Sequence, residues 1–185
     1  MYKAGEGMNR GNIVFLAIVL IILSITGYLI YQGIKEGEKI EIYYKDNNIE
    51  VVEFKLTDDG AYLKLIINGE SGDVILKFTA YKKIAVKLLA NVSPPIDGET
   101  ISVIIDPINN IERKWYTWWS AGFPIETNTW YTVEITSKNV TISPEPDRKN
   151  IEYNWGANPG YLLIGLGAKC RENMKITAEI YISRD

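Results

Sequence analysis

Five tryptophans, all between positions 115 and 155, are the most unevenly placed side chains with chemistry to offer in this 185-residue chain. Trp115, Tyr116, Trp118, Trp119, Phe123, Trp130 and Tyr131 crowd a single stretch. Large flat rings with a polar edge stack against sugar rings and dominate protein docking contacts. Adjacent residues of an extended strand point to opposite faces, so Trp118 and Trp119 cannot both enter a core. Trp115, Tyr116, Trp118, Trp119, Phe123 and Trp130 are therefore the candidate ligand-binding residues. The competing expectation is an aromatic core closed by a loop, with Ser120-Ala121-Gly122 as its turn.

Composition removes much other chemistry. The chain has no histidine, which excludes Ser-His-Asp and Cys-His catalysis and every His-ligated metal site. Cys170 is the only cysteine, so neither an intrachain disulfide nor a Cys-rich zinc site can form. Paired carboxylates could still run a glycosidase. Glu145-Pro146-Asp147 and Glu152 come nearest to an acidic strand motif. Glu145 and Asp147 would share one strand face while Glu152 falls on the other, and Pro146 would disturb a ladder, so this stretch reads as a solvated loop. Asp106, Glu112 and Glu126 are the remaining candidate acids. Asp58 with Asp59, and Asp97 with Glu99, have the oxygen chemistry for Ca²⁺ but equally suit ordinary turns. No catalytic residue, metal ligand or cofactor is therefore assigned, and the expectation is a protein that is not an enzyme.

From Glu41 onward there are 16 Lys and Arg against 20 Asp and Glu, leaving about −4. A mildly acidic, mixed surface holds a phosphate backbone poorly, which argues against nucleic acid as a partner. Asn91-Val92-Ser93 and Asn139-Val140-Thr141 match the N-glycosylation pattern and equally suit plain strand or turn sequence. Abundant Lys, Glu, Ile and Tyr with scarce Cys and Met lean toward a thermophilic source.

The elements that would position these residues fall into two regimes. Between Arg10 and Lys35 there is no charged residue, and Ile13 to Leu23 is an unbroken apolar run. As a helix, residues 11–34 would cover roughly 36 Å, enough to cross a hydrocarbon layer of about 30 Å. Ser24 and Thr26 are tolerated in such a helix because their hydroxyls can bond back to its backbone. Tyr28 and Tyr31 suit an interfacial aromatic belt. The expected division is a tail over residues 1–10, a transmembrane helix over 11–34, a charged spacer over 35–39 and a globular domain over 40–185. Lys3 and Arg10 before the run balance Lys35 and Lys39 after it, and the free amino terminus, with Glu36 and Glu38 on the far side, tilts the expectation toward a cytoplasmic N-terminus and an extracytoplasmic domain. The run is too long for a cleaved signal peptide, and no Ala-x-Ala follows it.

After the spacer the hydrophobic period becomes two. Ala61, Leu63, Leu65 and Ile67 alternate with Tyr62, Lys64 and Ile66, and Val74, Leu76, Phe78 and Ala80 with Ile75, Lys77 and Thr79. Ile84, Val86, Leu88 and Ala90 oppose Ala85, Lys87 and Leu89, and Ile101, Val103 and Ile105, then Tyr131, Val133 and Ile135, form further faces. The longest set is Met174, Ile176, Ala178, Ile180 and Ile182, set against Lys175, Thr177, Glu179, Tyr181 and Ser183. This is the signature of half-buried strands. Asp58-Asp59-Gly60 and Asn68-Gly69 read as hairpin turns between neighbours. About ten short strands and no further helix predict a mainly β domain, an antiparallel β-sandwich preceded by the single membrane helix.

Trp130–Ile135, Asn139–Ile142, Gly160–Gly165 and Ala178–Ile182 follow one another in an order that resembles the closing strands of concanavalin A-like (laminin G-type) jelly rolls. The resemblance covers roughly residues 130–183 and implies a jelly-roll sandwich, with carbohydrate binding or adhesion as the associated expectation. Arg10-Gly11 before the apolar run resembles the basic-Gly junction of type IV pilin and archaellin precursors, where the hydrophobic helix stays on the mature subunit and packs into a filament.

The leading expectation is a non-enzymatic surface protein: lipid bilayer at one end, and a glycan or protein partner bound through exposed aromatics at the other. A pilin-like, filament or virion subunit that forms a homo-oligomer through its helix is the first alternative. A membrane-tethered glycan hydrolase is the second.

Overall fold

The computed structural model describes residues 18–28, 40–78, 83–95, 99–110, 115–116, 118–154, 159–169 and 173–184, without the side chains of 110, 115, 116 and 118. The chain divides into two units, Met1–Lys39 and Ile40–Asp185. In the first, residues 18–28 are helical. Ser24 Oγ donates to the Leu20 carbonyl and Thr26 Oγ1 to that of Ile22, each at 2.8 Å, so both hydroxyls are satisfied inside the helix. Ile18, Leu20, Ile21, Ile22 and Leu23 are each at least half exposed. Among the described residues no helix is long and apolar enough to cross a membrane. The rest of the expected 11–34 span, and the Arg10-Gly11 junction, lie outside the described residues.

The second unit is a sandwich of two antiparallel sheets. In chain order its described strands are β1 (Glu41–Lys45), β2 (Ile49–Leu56), β3 (Gly60–Asn68), β4 (Ser71–Lys77), β5 (Lys83–Ser93), β6 (Thr100–Asn110), β7 (Trp115–Tyr116), β8 (Trp118–Glu126), β9 (Tyr131–Thr136), β10 (Val140–Ser143), β11 (Asn150–Asn154), β12 (Tyr161–Gly167) and β13 (Lys175–Arg184). One sheet runs β1-β4-β12-β6-β8-β11, with the short β7 also paired to β6. The other runs β10-β9-β5-β13-β3-β2. The chain passes back and forth between the sheets, a jelly-roll-like path.

Alternation decides which side chains fill the space between them. Leu63, Leu65 and Ile67 from β3 meet Ile84, Val86 and Leu88 from β5 and Ile176, Ile180 and Ile182 from β13, all essentially inaccessible. Val74, Leu76, Ile101, Val103, Ile105, Leu162 and Ile164 supply the opposite layer. Burying each such side chain stabilises the fold by roughly 1.5–3 kcal/mol before the entropy of ordering is counted.

One expected turn is something else. Asn68-Gly69 does not close a hairpin, because β3 pairs with β2 and β13 whereas β4 pairs with β1 and β12. It is a corner at which the chain changes sheets, and Gly69 takes the positive φ of 136° that the corner demands. Asp58-Asp59-Gly60 does join paired strands, with Thr57 N–H donating to the Gly60 carbonyl at 3.0 Å. Edge strands β1 and β2 each carry an irregularity, at Tyr43 and Val52, that spoils the edge for pairing with another chain.

Candidate ligand-binding face

The residues that project outward from β5, β9, β13 and β3 stand in register across the sheet. Thr132 pairs with Lys87, Lys87 with Tyr181, and Tyr181 with Tyr62, giving one row over four strands. Their core-facing neighbours are buried apolar residues, so strand parity sends this row to the outer face. The Tyr62 and Tyr181 rings lie 4.7 Å apart between centroids, tilted by 42°. Trp130, just before β9, leans onto the same row with its ring 5.7 Å from Tyr181. The Lys87 ammonium sits 5.0 Å from the Trp130 ring centroid, a cation–π distance. Trp130 is 36% exposed and Tyr181 45%.

Beside this tall row runs a low one. Ala85 pairs with Ser183, and Ser183 with Gly60, so the sheet drops by the height of an aromatic side chain in one step. The step is a cleft of about 510 Å³, walled by Trp130, Tyr181 and Lys87 and closed toward the β2–β3 turn by Thr57 and Asp59. A smaller hollow of about 100 Å³ continues past Ala85 and Ser183 to Lys83 and Glu134. Apolar ring faces beside hydroxyls of Thr57, Thr132, Tyr181 and Ser183 form an amphipathic lining.

Charge on the face is mostly paired. Lys64 Nζ donates to Glu179 at 2.8 Å, Lys83 to Glu134 at 3.0 Å, and Lys55 pairs with Glu53. The Glu179 hydrogen bond raises the Lys64 ammonium above its ordinary pKa. Partial burial, then the Glu179 charge, raises the Tyr62 phenol.

The aromatic residues singled out by sequence separate. Trp130 stands on the cleft wall. Phe123 points inward from β8 and is buried in the core. Trp119 is half-buried on the inner side of β8, packed against the core and 4.8 Å from the Tyr153 ring, with no hydrogen-bond partner for its Nε1 among the described residues. Trp115 and Tyr116 form β7 and Trp118 begins β8, but their side chains lie outside the described residues. Sequence reasoning missed Tyr62, Tyr181 and Lys87. All three stood opposite the core-facing residues of their alternating strands, which was the available signal.

Of the candidate acids, Asp106 and Glu126 lie far apart, whereas Glu152, the register partner of Ser120, stands near enough to Asp106 to repel it. Thr100 pairs with Glu126, and Asp106 lies six residues further along β6, roughly 20 Å away at the rise of a strand, far beyond a glycosidase pair. Glu112 and Asp97 lie outside the described residues. Glu145, Pro146 and Asp147 are in the loop before β11, where Lys149 Nζ donates to Glu145 at 2.6 Å. Asp59 accepts from Thr57 Oγ1 at 3.0 Å within its turn. Among the described residues no group of three His, Cys, Asp or Glu could hold a metal ion. Asp106 is the one buried charged residue of the described set, 8% exposed on β6 in the other sheet. Burial pushes its pKa up to about 6, against an opposing hydrogen bond from Ser120 and with added repulsion from Glu152 and Asp73. Its Oδ1 has no partner among the described residues.

The chain matches no protein-family model and no curated protein. Among solved structures it is similar to a sialidase over 74% of this chain and 17% of that one, at 14% identity and a TM-score of 0.43. It therefore spans less than a fifth of that protein's length. TmCBM61 in complex with beta-1,4-galactotriose is similar over 82% of this chain and 93% of that one, at 10% identity and a TM-score of 0.35. The exoplasmic/lumenal domain of VIP36, in its Ca²⁺/Man3GlcNAc-bound form, is similar over 79% and 90%, at 8% identity and a TM-score of 0.39.

Proposed function

We propose that the chain is a non-enzymatic glycan-binding surface protein, with a β-sandwich that takes its ligand in the cleft beneath Trp130 and Tyr181. One observation carries the reading: three aromatic side chains from three separate elements meet on a solvent-facing sheet surface, beside a step floored by Ala85 and Ser183. A core has no use for that arrangement, since the core lies on the opposite side of the same strands. A sugar ring does, because its C–H face stacks on an aromatic face while its hydroxyls need polar groups at the edge.

The helical segment supports the membrane half of the proposal. Its side chains are mostly apolar, the Ser24 and Thr26 hydroxyls are bonded internally, and the charge-free run extends on both sides of the described helix. We read residues 11–34 as a bilayer anchor with the sandwich outside the cytoplasm.

The test is a titration of the full chain, in detergent, with a panel of soluble polysaccharides, followed by isothermal calorimetry. Binding to at least one polysaccharide is expected, weakened at least tenfold by Trp130→Ala and by Tyr181→Ala with the fold intact by circular dichroism. A panel without binding, or binding indifferent to both substitutions, overturns the proposal.

A further inference from the structure

We infer that the cleft selects glycans carrying a carboxylate, with Lys87 as its counter-charge. The inference rests on the reading of the cleft as a glycan site and names the class of sugar it takes.

Lys55, Lys64 and Lys83 on this face each hold a carboxylate, in Glu53, Glu179 and Glu134. Lys87 differs. It occupies the middle of the tall row, between Thr132 and Tyr181, and makes no ion pair with any described residue. Its ammonium is instead held over the Trp130 ring at 5.0 Å. A ring quadrupole attracts a cation without neutralising it, so the charge stays available while the amine is fixed in position. That position is the cleft wall, against which a stacked sugar would lie.

Glu134 and Glu179 stand diagonally beside Lys87 but are held by Lys83 and Lys64, and the carboxylate that lines the cleft itself is Asp59. It belongs to the turn before β3, where Thr57 Oγ1 already donates to it. Lys87 is on β5 and Gly60 on β3, with β13 between them, which separates the two walls by roughly 10 Å. The cleft is therefore cationic at the aromatic end and anionic at the turn end. A uronate stacked on Trp130 would place its carboxylate within reach of Lys87 and of the Thr132 and Tyr181 hydroxyls. A neutral hexose in the same place would leave the ammonium bonded only to water. A single partly exposed ion pair of this kind is worth about 1 kcal/mol, which reads as roughly fivefold in affinity and weakens with salt.

The experiment uses the full chain in detergent and matched polysaccharides: polygalacturonate, alginate and hyaluronan, each in native form and after chemical reduction of its carboxyl groups to the neutral hexose. Xyloglucan and galactan serve as neutral references. The expected result is binding of a native uronate polymer roughly fivefold tighter than its reduced form. Lys87→Met should abolish the preference, Lys87→Arg should keep it, and raised salt should diminish it. Equal affinity for native and reduced forms, or tighter binding of neutral references, overturns the inference and leaves the glycan reading standing. An absence of binding to every polymer overturns both. Lys87→Met sits on an outward face away from the core, and near-UV circular dichroism of each variant separates a lost site from a lost fold.

Discussion

Tyr62 and Tyr181 are partners in the β3–β13 ladder, and their rings meet 4.7 Å apart on the side of the sheet that faces away from the core. Cross-strand aromatic pairs contribute up to about 1 kcal/mol to a sheet, so the contact stabilises the fold. It also fixes the tilt of Tyr181, and Tyr181 in turn supports Trp130 at 5.7 Å. The wall of the cleft is thus held in place by its own neighbours, and pre-organisation of this kind would lower the entropy lost if the proposed ligand binds there.

Filling the step should abolish binding without harming the fold. Ala85 faces the cleft from β5, on the side of the sheet opposite the buried Ile84 and Val86. The Ala85→Leu side chain would rise into the space beside Tyr181 and add a branched apolar group to a strand, which sheets tolerate. Affinity for the best polysaccharide of the panel should fall at least tenfold, while the thermal midpoint stays within a few degrees of the parent. Unchanged affinity would move the site elsewhere on the molecule.

The stability of the domain should depend on Asp106. Its folded pKa, about 6, stands above the ordinary value because burial penalises the charged form. An acid raised in this way binds its proton more tightly folded than unfolded. Its contribution to stability is complete below about pH 4, declines as pH rises toward 6, and stays lost above that. The difference is about 3 kcal/mol across the window. Urea titrations at pH 4, 5, 6 and 7.5 should trace that decline, and Asp106→Asn should flatten it. A parent whose stability rises through this range, with the variant following the same curve, would contradict the assignment.

The core was readable because alternation is a local property. Each of Ala61, Leu63, Leu65 and Ile67, and each of Met174, Ile176, Ala178, Ile180 and Ile182, is buried as the period of two required. The cleft was not readable in the same way. Tyr62, Lys87, Trp130 and Tyr181 come from four distant stretches, and only strand order and register bring them into contact. Parity placed Tyr181 and Lys87 outward, but no local pattern states that β13 lies between β3 and β5. The tryptophan crowding drew attention to one stretch, and the structure divides its members: Phe123 fills the core, Trp119 closes the edge beside Tyr153, and Trp130 alone among the described side chains reaches the cleft. Asn68-Gly69 misled for a related reason. The dipeptide specifies a tight change of direction, not which strand comes next to which.

Two glycines make a matched test of packing. A methyl group added at Gly60 would collide with the Ile182 carbonyl, backbone that cannot yield. At Gly122 an added methyl would meet nothing closer than the Asn150 carbonyl oxygen at 3.8 Å, an ordinary contact. Gly60→Ala should therefore destabilise the domain by at least about 2 kcal/mol, and Gly122→Ala by no more than about 0.5 kcal/mol. Chemical denaturation of both variants measures the difference directly. Equal costs would mean that β3 and β13 do not approach one another as described.

The apolar helix predicts how the whole chain behaves in water. Ile18, Leu20, Ile21 and Leu23 project from residues 18–28 with half or more of their surface uncovered, an arrangement that water opposes and lipid accepts. Ser24 and Thr26 donate to carbonyls of their own helix and so need no solvent partner. The full chain should therefore float with phosphatidylcholine vesicles on a density gradient, and resist extraction by carbonate at high pH. A fragment of residues 40–185, which holds the two sheets and their common core, should remain in the aqueous fraction. Replacing Ile18 and Ile22 together with Lys should release the full chain from the vesicles, since each charge at the centre of a span costs about 2.5–3.5 kcal/mol. A full chain that stays monomeric in buffer without detergent would leave the helix with no bilayer to explain it.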